Sequence, residues 1–350
     1  MDLFRHPCLF LRKARDFSFG FKPVFDARTA APGNSPDRGR RLPRFGVLLL
    51  AALGPALLVF IAACARDLNR PAGDSGNRAD LVTLTDGVGR SVVLPPHPSR
   101  IISLAPSVTE VIYLVGAEER LIGVTTQCDW PADAKRMPKI GTLLNPNFEI
   151  ILAAKPDLVI ASTAGNDEKA IYKLAELGLP VFVTAPRSVQ GIFDATLQIG
   201  RITDHAAEGE RIVIQAQARL REIKRRLAGL PATRAFFITW FDPLLAPGRK
   251  TFENDVLALA DVVSISATTD EFYPRYSMEQ VVAQDPDVII TVLHQGKPLP
   301  DLRQIAGWRD LRAVRQGRVY VLDEVFQHPS PRFVDAVEEL ARKLHPERFR

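Results

Sequence analysis

The sequence predicts an α/β protein of two similar lobes, each on a parallel-type sheet, joined by one long backbone helix. Three observations predict it. Short apolar runs suited to buried strands alternate with helical segments through residues 81–350. A helix, a Pro-Asp pair and an apolar strand follow one another twice, in residues 149–160 and 279–290. Between the copies, residues 188–227 lack proline and read as helix, broken weakly at Thr203-Asp204.

Charge is unevenly placed along the 350 residues. Residues 1–63 hold ten Lys and Arg against four Asp, which leaves 35 basic and 36 acidic residues beyond them. The formal net charge of +5 therefore belongs to the leader, and the body is near neutral. A neutral body excludes a phosphate-tracking surface, so nucleic acid is not an expected partner.

Residues 45–63 contain no charge, and Arg40, Arg41 and Arg44 stand just before them, the asymmetry of a secretory signal. The run ends in Ile61-Ala62-Ala63-Cys64, which resembles the bacterial lipobox, whose cysteine becomes lipidated and N-terminal. A membrane-spanning helix is the other reading of 19 uncharged residues. Gly54-Pro55 and the small-small-Cys exit favour processing. Several acyl chains on Cys64 would anchor firmly, where one alone is marginal. Residues 1–63 are thus read as leader and signal peptide, and residues 64–80, rich in Gly, Asn and Asp, as a flexible tether. With Cys8 in the leader and Cys64 lipidated, Cys128 stands alone in the mature body, without a disulfide partner.

The N-terminal lobe is expected over residues 81–186. Two short strands, 81–85 and 91–94, flank the turn signal Asp86-Gly87. An apolar run at 100–104 then leads to Pro106-Ser107, where Ser107 or Thr109 can cap a helix that Gly116 ends. Strand 121–124, helix 147–154, strand 158–161, helix 166–177 and strand 181–184 continue the alternation. The connecting helix takes residues 187–228 and the C-terminal lobe residues 229–350, with strands starting at Arg234, Val288 and Val319 and a last helix over 331–344.

In the repeat, Glu149 and Glu279 each stand seven residues before Pro156-Asp157 and Pro286-Asp287. Each glutamate falls in the first turn of its helix, where a carboxylate favours the macrodipole. Helix chemistry alone accounts for such a residue, and duplication adds the alternative of a shared task.

The run Ile101-Ile102-Ser103-Leu104-Ala105-Pro106-Ser107-Val108-Thr109-Glu110 resembles the opening strand, loop and helix of class III periplasmic binding proteins, receptors for cobalamin, ferric siderophores and haem. Gly123 through Pro131, Lys155-Pro156-Asp157-Leu158-Val159-Ile160 and Ser330-Pro331-Arg332 continue the likeness, which covers about residues 81–345 and is most similar to the cobalamin-binding subgroup. The resemblance implies a ligand cleft between the lobes and delivery to the permease dimer of an ABC importer with its cytoplasmic ATPase. It implies a monomer with no cofactor of its own, whose cargo is a corrinoid or an iron chelate. It also gives Glu149 and Glu279 the task of docking, one per lobe, against arginines of the permease.

Ligands of such sheets bind beyond the carboxyl ends of the strands. That selects Pro106, Ser107, Gln127, Cys128, Asp129 and Trp130 in the first lobe and Glu324, Phe326 and His328 in the second; Leu245 and Tyr273 are added as wall candidates, and the resemblance implies the positions of Leu143 and Tyr273. Trp240, Phe241, Gln327 and His294 are further wall candidates. Each has a plainer reading: Trp130 as core, Cys128 as a small buried hydrophobe, Asp129 as the start of a turn before Pro131. His294 or His328 reads either as an ordinary surface histidine or as an axial metal ligand. Leu143 and His328 depart from the cobalamin receptors, which the resemblance gives an aromatic and an arginine there.

Two other functions compete. A ferric siderophore or haem receptor keeps the architecture and changes the cargo. A hydrolase using Cys128 changes the class, but G-x-S-x-G, Walker A, H-E-x-x-H and C-x-x-C motifs are all missing from the sequence. The six histidines show no metal-ligand spacing, so no bare metal ion is expected.

Overall fold

The computed structural model describes residues 81–292 and 299–350. The signal peptide, the tether, Cys64 and His294 therefore lie outside the described residues. Among those described, no helix is long and apolar enough to cross a membrane.

Strands β1 (Val82–Thr85) and β2 (Ser91–Leu94) form an antiparallel hairpin. The Asp86 carboxylate closes its turn, accepting from the amides of Val88 at 3.1 Å and Arg90 at 2.8 Å. The hairpin rests on the first sheet through the Gly87 amide, 2.7 Å from the Val183 carbonyl.

The first sheet holds β3 (Ile101–Ser103), β4 (Leu121–Val124), β5 (Leu158–Ser162) and β6 (Val181–Thr184), in the order β4-β3-β5-β6 with every pairing parallel. All residues of β3, β5 and β6 are buried, as expected of parallel strands covered on both faces. Helices α1 (Pro106–Leu114), α2 (Phe148–Ala153) and α3 (Glu168–Glu176) lie in this lobe. Two helix starts differ from the sequence reading. Neither Ser107 nor Thr109 caps α1, because Pro106, with no amide to satisfy and a helical φ already set, opens it at N1. Helix α3 begins after Asn166, because Asp167 is its cap, accepting from the Ala170 amide at 3.1 Å.

The connection comprises α4 (Val189–Ile202) and the 22-residue α5 (Ala206–Leu227). The weak break foreseen at Thr203-Asp204 is complete, with Asp204 at φ +63°, so the long backbone helix is paired with a second one. The two cross closely because both contribute glycine: a Cβ on Gly200 would lie 3.4 Å from the Gly209 Cα, and one on Gly209 would lie 3.2 Å from the Thr196 carbonyl oxygen. The pair is anchored in both lobes. Ile199, Ile202 and Ile212 join the N-terminal core, while Ile192, Phe193, Val213, Ala216, Leu220, Ile223 and Leu227 join the C-terminal core.

The second sheet holds β7 (Thr233–Ile238), β8 (Val262–Ser264), β9 (Val288–Val292) and β10 (Val319–Leu322), in the order β10-β9-β7-β8, again all parallel. This is the strand order of the first sheet repeated. Helices α6 (Phe252–Leu259), α7 (Met278–Gln284), α8 (Arg312–Arg315) and α9 (Phe333–Leu344) complete the lobe.

The sequence repeat is also a structural one. After α2 and α7, Lys155 and Asp285 both turn the chain with left-handed φ, +48° and +37°. Asp157 then accepts from the Arg100 amide at 2.9 Å, and Asp287 from the Arg234 amide at 3.1 Å. Each arginine reaches back to its helix, Arg100 to the Ala154 carbonyl at 2.6 Å and Arg234 to the Gln284 carbonyl at 2.9 Å. A helix end, a left-handed turn and a strand start are thus locked by the same contacts in each lobe.

Candidate functional site

Loops beyond the carboxyl ends of both sheets come together. In the N-terminal lobe Asn166 ties three of them: its Nδ2 donates to the carbonyls of Leu104 at 2.8 Å and Leu143 at 2.9 Å, and its Oδ1 accepts from the Ser162 amide at 2.8 Å. Gln127 adds a fourth tie, with Oε1 accepting from the Leu143 amide at 2.9 Å. Leu143 is thereby held half-buried beside Gly165, where a Cβ would come within 2.7 Å of its side chain. Pro106 is half-buried and Ser107 buried at the start of α1; Gln127 and Asp129 are exposed, and Trp130 is half-buried.

In the C-terminal lobe, the segment after β7 runs against the Phe272–Tyr276 stretch. Leu245 bridges Trp240 on one side and Arg275 on the other. Trp240 (48% exposed), Phe272 (42%) and Tyr273 (44%) show much of their rings to solvent. Phe241 instead stacks on Trp308, with centroids 5.7 Å apart. Glu324, in a 3-10 turn, and His328 after it are half-buried.

Two candidates support the site from beneath rather than line it. Cys128 is 1% exposed within the N-terminal core, its thiol 3.1 Å from the Thr109 hydroxyl and 3.2 Å from that of Thr125. Burial raises its pKa against both hydroxyl contacts, so the thiol stays protonated, unlike a hydrolase nucleophile. Phe326 is fully buried in the C-terminal core, stacked on Phe237 at 5.0 Å.

Among the described residues, contacts between the lobes include two that bear on the site. Arg187, after β6, lies 5.7 Å from the centroid of Phe272. The stronger contact is a polar cluster that sequence reasoning missed. Glu110 of α1 is 1% exposed, and its Oε1 meets His328 Nδ1 at 2.8 Å and Arg332 Nη1 at 3.1 Å. Ser330 donates to its Oε2. The Arg332 guanidinium also lies 4.1 Å over the Trp130 ring. Burial works against the His328 imidazolium, but the hydrogen bond and charge of Glu110, with Asp129 behind it, outweigh burial and raise its pKa, against Arg332.

A second buried acid was also missed. Glu253, in the first turn of α6, is 2% exposed; its Oε1 accepts from the Tyr273 hydroxyl at 2.8 Å, while Oε2 has no hydrogen-bond partner. Burial pushes its pKa up to about 7, despite its own amide and the hydroxyls of Tyr273 and Thr251.

Glu149 and Glu279 are exposed in the first turns of α2 and α7. Hydrogen bonds from its own backbone amide and from Ser277 hold the Glu279 carboxyl below the usual range. Leu152 and Val282, three residues on, are exposed at 38% and 43%.

Residues 101–325 match a family model described as periplasmic binding protein. YvrC of Bacillus subtilis, named as an uncharacterized ABC transporter substrate-binding lipoprotein, is 27% identical over 321 residues, covering 89% of this chain and 99% of that protein. The vitamin B12-binding protein of Vibrio cholerae is 29% identical over 257 residues, covering 73% and 92%. Among solved structures, the periplasmic vitamin B12 binding protein BtuF of Vibrio cholerae superposes with a TM-score of 0.64 at 28% identity, covering 72% of this chain and 99% of that one. A periplasmic heme binding protein of Pseudomonas aeruginosa gives 0.65 at 25% identity, covering 71% and 93%. Two sheets of one strand order, loops meeting beyond their carboxyl ends and a family match across most of the body lead to one conclusion: this chain belongs to the periplasmic binding protein family and is an extracytoplasmic substrate-binding component of an ABC transporter.

Proposed function

We propose that this protein captures cobalamin or a related corrinoid between its lobes and hands it to the permease dimer of an ABC importer. The observation that carries the reading is a set of part-exposed aromatic rings on loops of both lobes, Trp130 in one and Trp240, Phe272 and Tyr273 in the other. Large exposed rings are costly in water and mark a surface meant to be covered. A flat macrocycle offers apolar faces for them and peripheral amides for Ser107, Gln127, Asp129, Glu324 and His328. Pro106, Leu143 and Leu245 complete the walls.

Delivery uses Glu149 and Glu279, one per lobe, facing arginines of a two-fold permease. Exposed ion pairs are worth only ~0–1 kcal/mol each, so their gain lies in register and capture rate. Lipidation of Cys64 keeps the receptor near its transporter. The protein acts by binding, with no chemistry on the cargo.

A second reading substitutes haem or a ferric siderophore. Its support is that Leu143 and His328 stand where the resemblance places an aromatic and an arginine in cobalamin receptors, and that a heme binding protein superposes equally well. Titration of the purified protein with cobalamin, cobinamide, haem and ferric siderophores, followed by tryptophan fluorescence, separates the two. Saturation by a corrinoid supports the proposal, and saturation by haem or a siderophore alone replaces it.

A further inference from the structure

Among the described residues, three carboxylate side chains sit on residues less than 5% exposed: Asp86, Glu110 and Glu253. Asp86 closes its own hairpin, and Glu253 bonds Tyr273 of its own lobe. Glu110 differs: its bonds to His328 and Ser330 cross 218 and 220 residues of chain, from α1 in one lobe to the far end of the other.

The segment that meets it is His328-Pro329-Ser330-Pro331-Arg332. The three contacting residues alternate with prolines along a run of bends and turns that leads into α9, Arg332 already having helical backbone angles, and the contacts bring all three to the same carboxylate. The prolines stiffen this strap, and Phe326 and Phe333 at its ends are fully buried in the C-terminal core. A rigid element of one lobe therefore presents a hydroxyl, an imidazole and a guanidinium to a single carboxylate of the other. Separating the lobes would take the hydroxyl, the imidazole and the guanidinium from that carboxylate together, and a buried contact of this kind costs more to break than an exposed pair.

We propose that Glu110 is a positioning residue for cargo capture: by holding the 328–332 strap on α1 it sets the pose of the lobes and fixes the Arg332–Trp130 pair at the cleft. The effect on cargo rests on the reading of the cleft as the binding site; the effect on lobe pose does not. Two helices, α4 and α5, join the lobes covalently, and the strap is a further attachment that keeps them from rocking about those helices. The contact is also titratable. Glu110 and Asp129 favour the His328 imidazolium and Arg332 opposes it, so the latch loosens as pH rises through the raised pKa of His328.

The test uses the full chain with Cys8→Ser and Cys64→Ser, carrying spin labels at exposed Lys173 and Arg309, one on each lobe; the buried Cys128 escapes labelling. Pulsed EPR without cargo should give a narrow distance distribution in the parent, broadened by Glu110→Gln and, more mildly, by Ser330→Ala. The parent distribution should widen at alkaline pH, and His328→Gln should remove that dependence, which a purely structural Glu110–Arg332 pair would not show. With cobalamin as probe, Glu110→Gln should raise the dissociation rate by roughly tenfold or more, as when a buried charge contact is cut. A folded Glu110→Gln protein with the parent distribution overturns the proposal, as does a distribution indifferent to both variants and pH. A parent that binds no cobalamin sinks the corrinoid reading instead, and the EPR result still decides the role of Glu110.

Discussion

Replacing Glu253 by Gln should stabilise the protein at alkaline pH and leave it nearly unchanged in acid. The carboxyl is 2% exposed, with one oxygen unpartnered, and its pKa of about 7 compares with an ordinary 4.5. Between those values the folded state holds a proton that the unfolded chain has released, so stability falls as pH rises through this window. At 1.36 kcal/mol per pKa unit, the penalty reaches about 3 kcal/mol above the folded pKa and vanishes below the unfolded one. Glutamine carries no charge and still offers an oxygen to the Tyr273 hydroxyl, so it removes the penalty and keeps the hydrogen bond. Urea denaturation of parent and variant at about pH 8 and about pH 4 reads the difference directly from the midpoints. A variant no more stable than the parent at the higher pH, or equally stabilised at both, would refute the reasoning, since it would mean the carboxylate is solvated or paired.

Three further outcomes follow from the same account. Glu149→Ala with Glu279→Ala should leave cargo affinity intact and reduce uptake by cells; weakened affinity would move these residues into the site. Cys64→Ser should release the protein from membranes into the soluble fraction, and persistence in the membrane would favour a spanning segment over a lipid anchor. Gly209→Leu should cost about 1–3 kcal/mol in denaturation, because even its Cβ would sit 3.2 Å from the Thr196 carbonyl oxygen where α4 and α5 cross; an unchanged midpoint would mean the helices separate freely.

The parts of this molecule that could be read in sequence are those whose causes are local. Pro156-Asp157 and Pro286-Asp287 announce a strand start because proline ends the helix and the aspartate bonds the neighbouring strand's amides, and both copies do so in the structure. The strands at 121–124, 181–184 and 319–322 begin and end where their apolar runs do. Helix starts were harder where several polar residues competed: Thr109 has capping chemistry, yet its hydroxyl is spent on Ser103 at 2.8 Å, and Asn166 lies before α3 because its amide is spent on two loops.

The site was legible as a set of loops but not as a set of contacts. Cys128 and Phe326 sit in the right loops and point into the cores, a choice of side that residue type alone does not encode in irregular segments. Glu110 was visible only as one letter of a family-like run, because its partners lie more than two hundred residues away. Glu253 was hidden for a different reason: an acid in the first turn of a helix looks solvent-facing unless the burial of that turn is known.

The central claim, that the lobes hold a corrinoid between them, meets its most direct test in the visible absorption spectrum of the protein purified from its own cells. The account predicts the long-wavelength bands of a corrin, released on denaturation in near one-to-one amount. A haem Soret band or a ferric siderophore charge-transfer band in their place would contradict it.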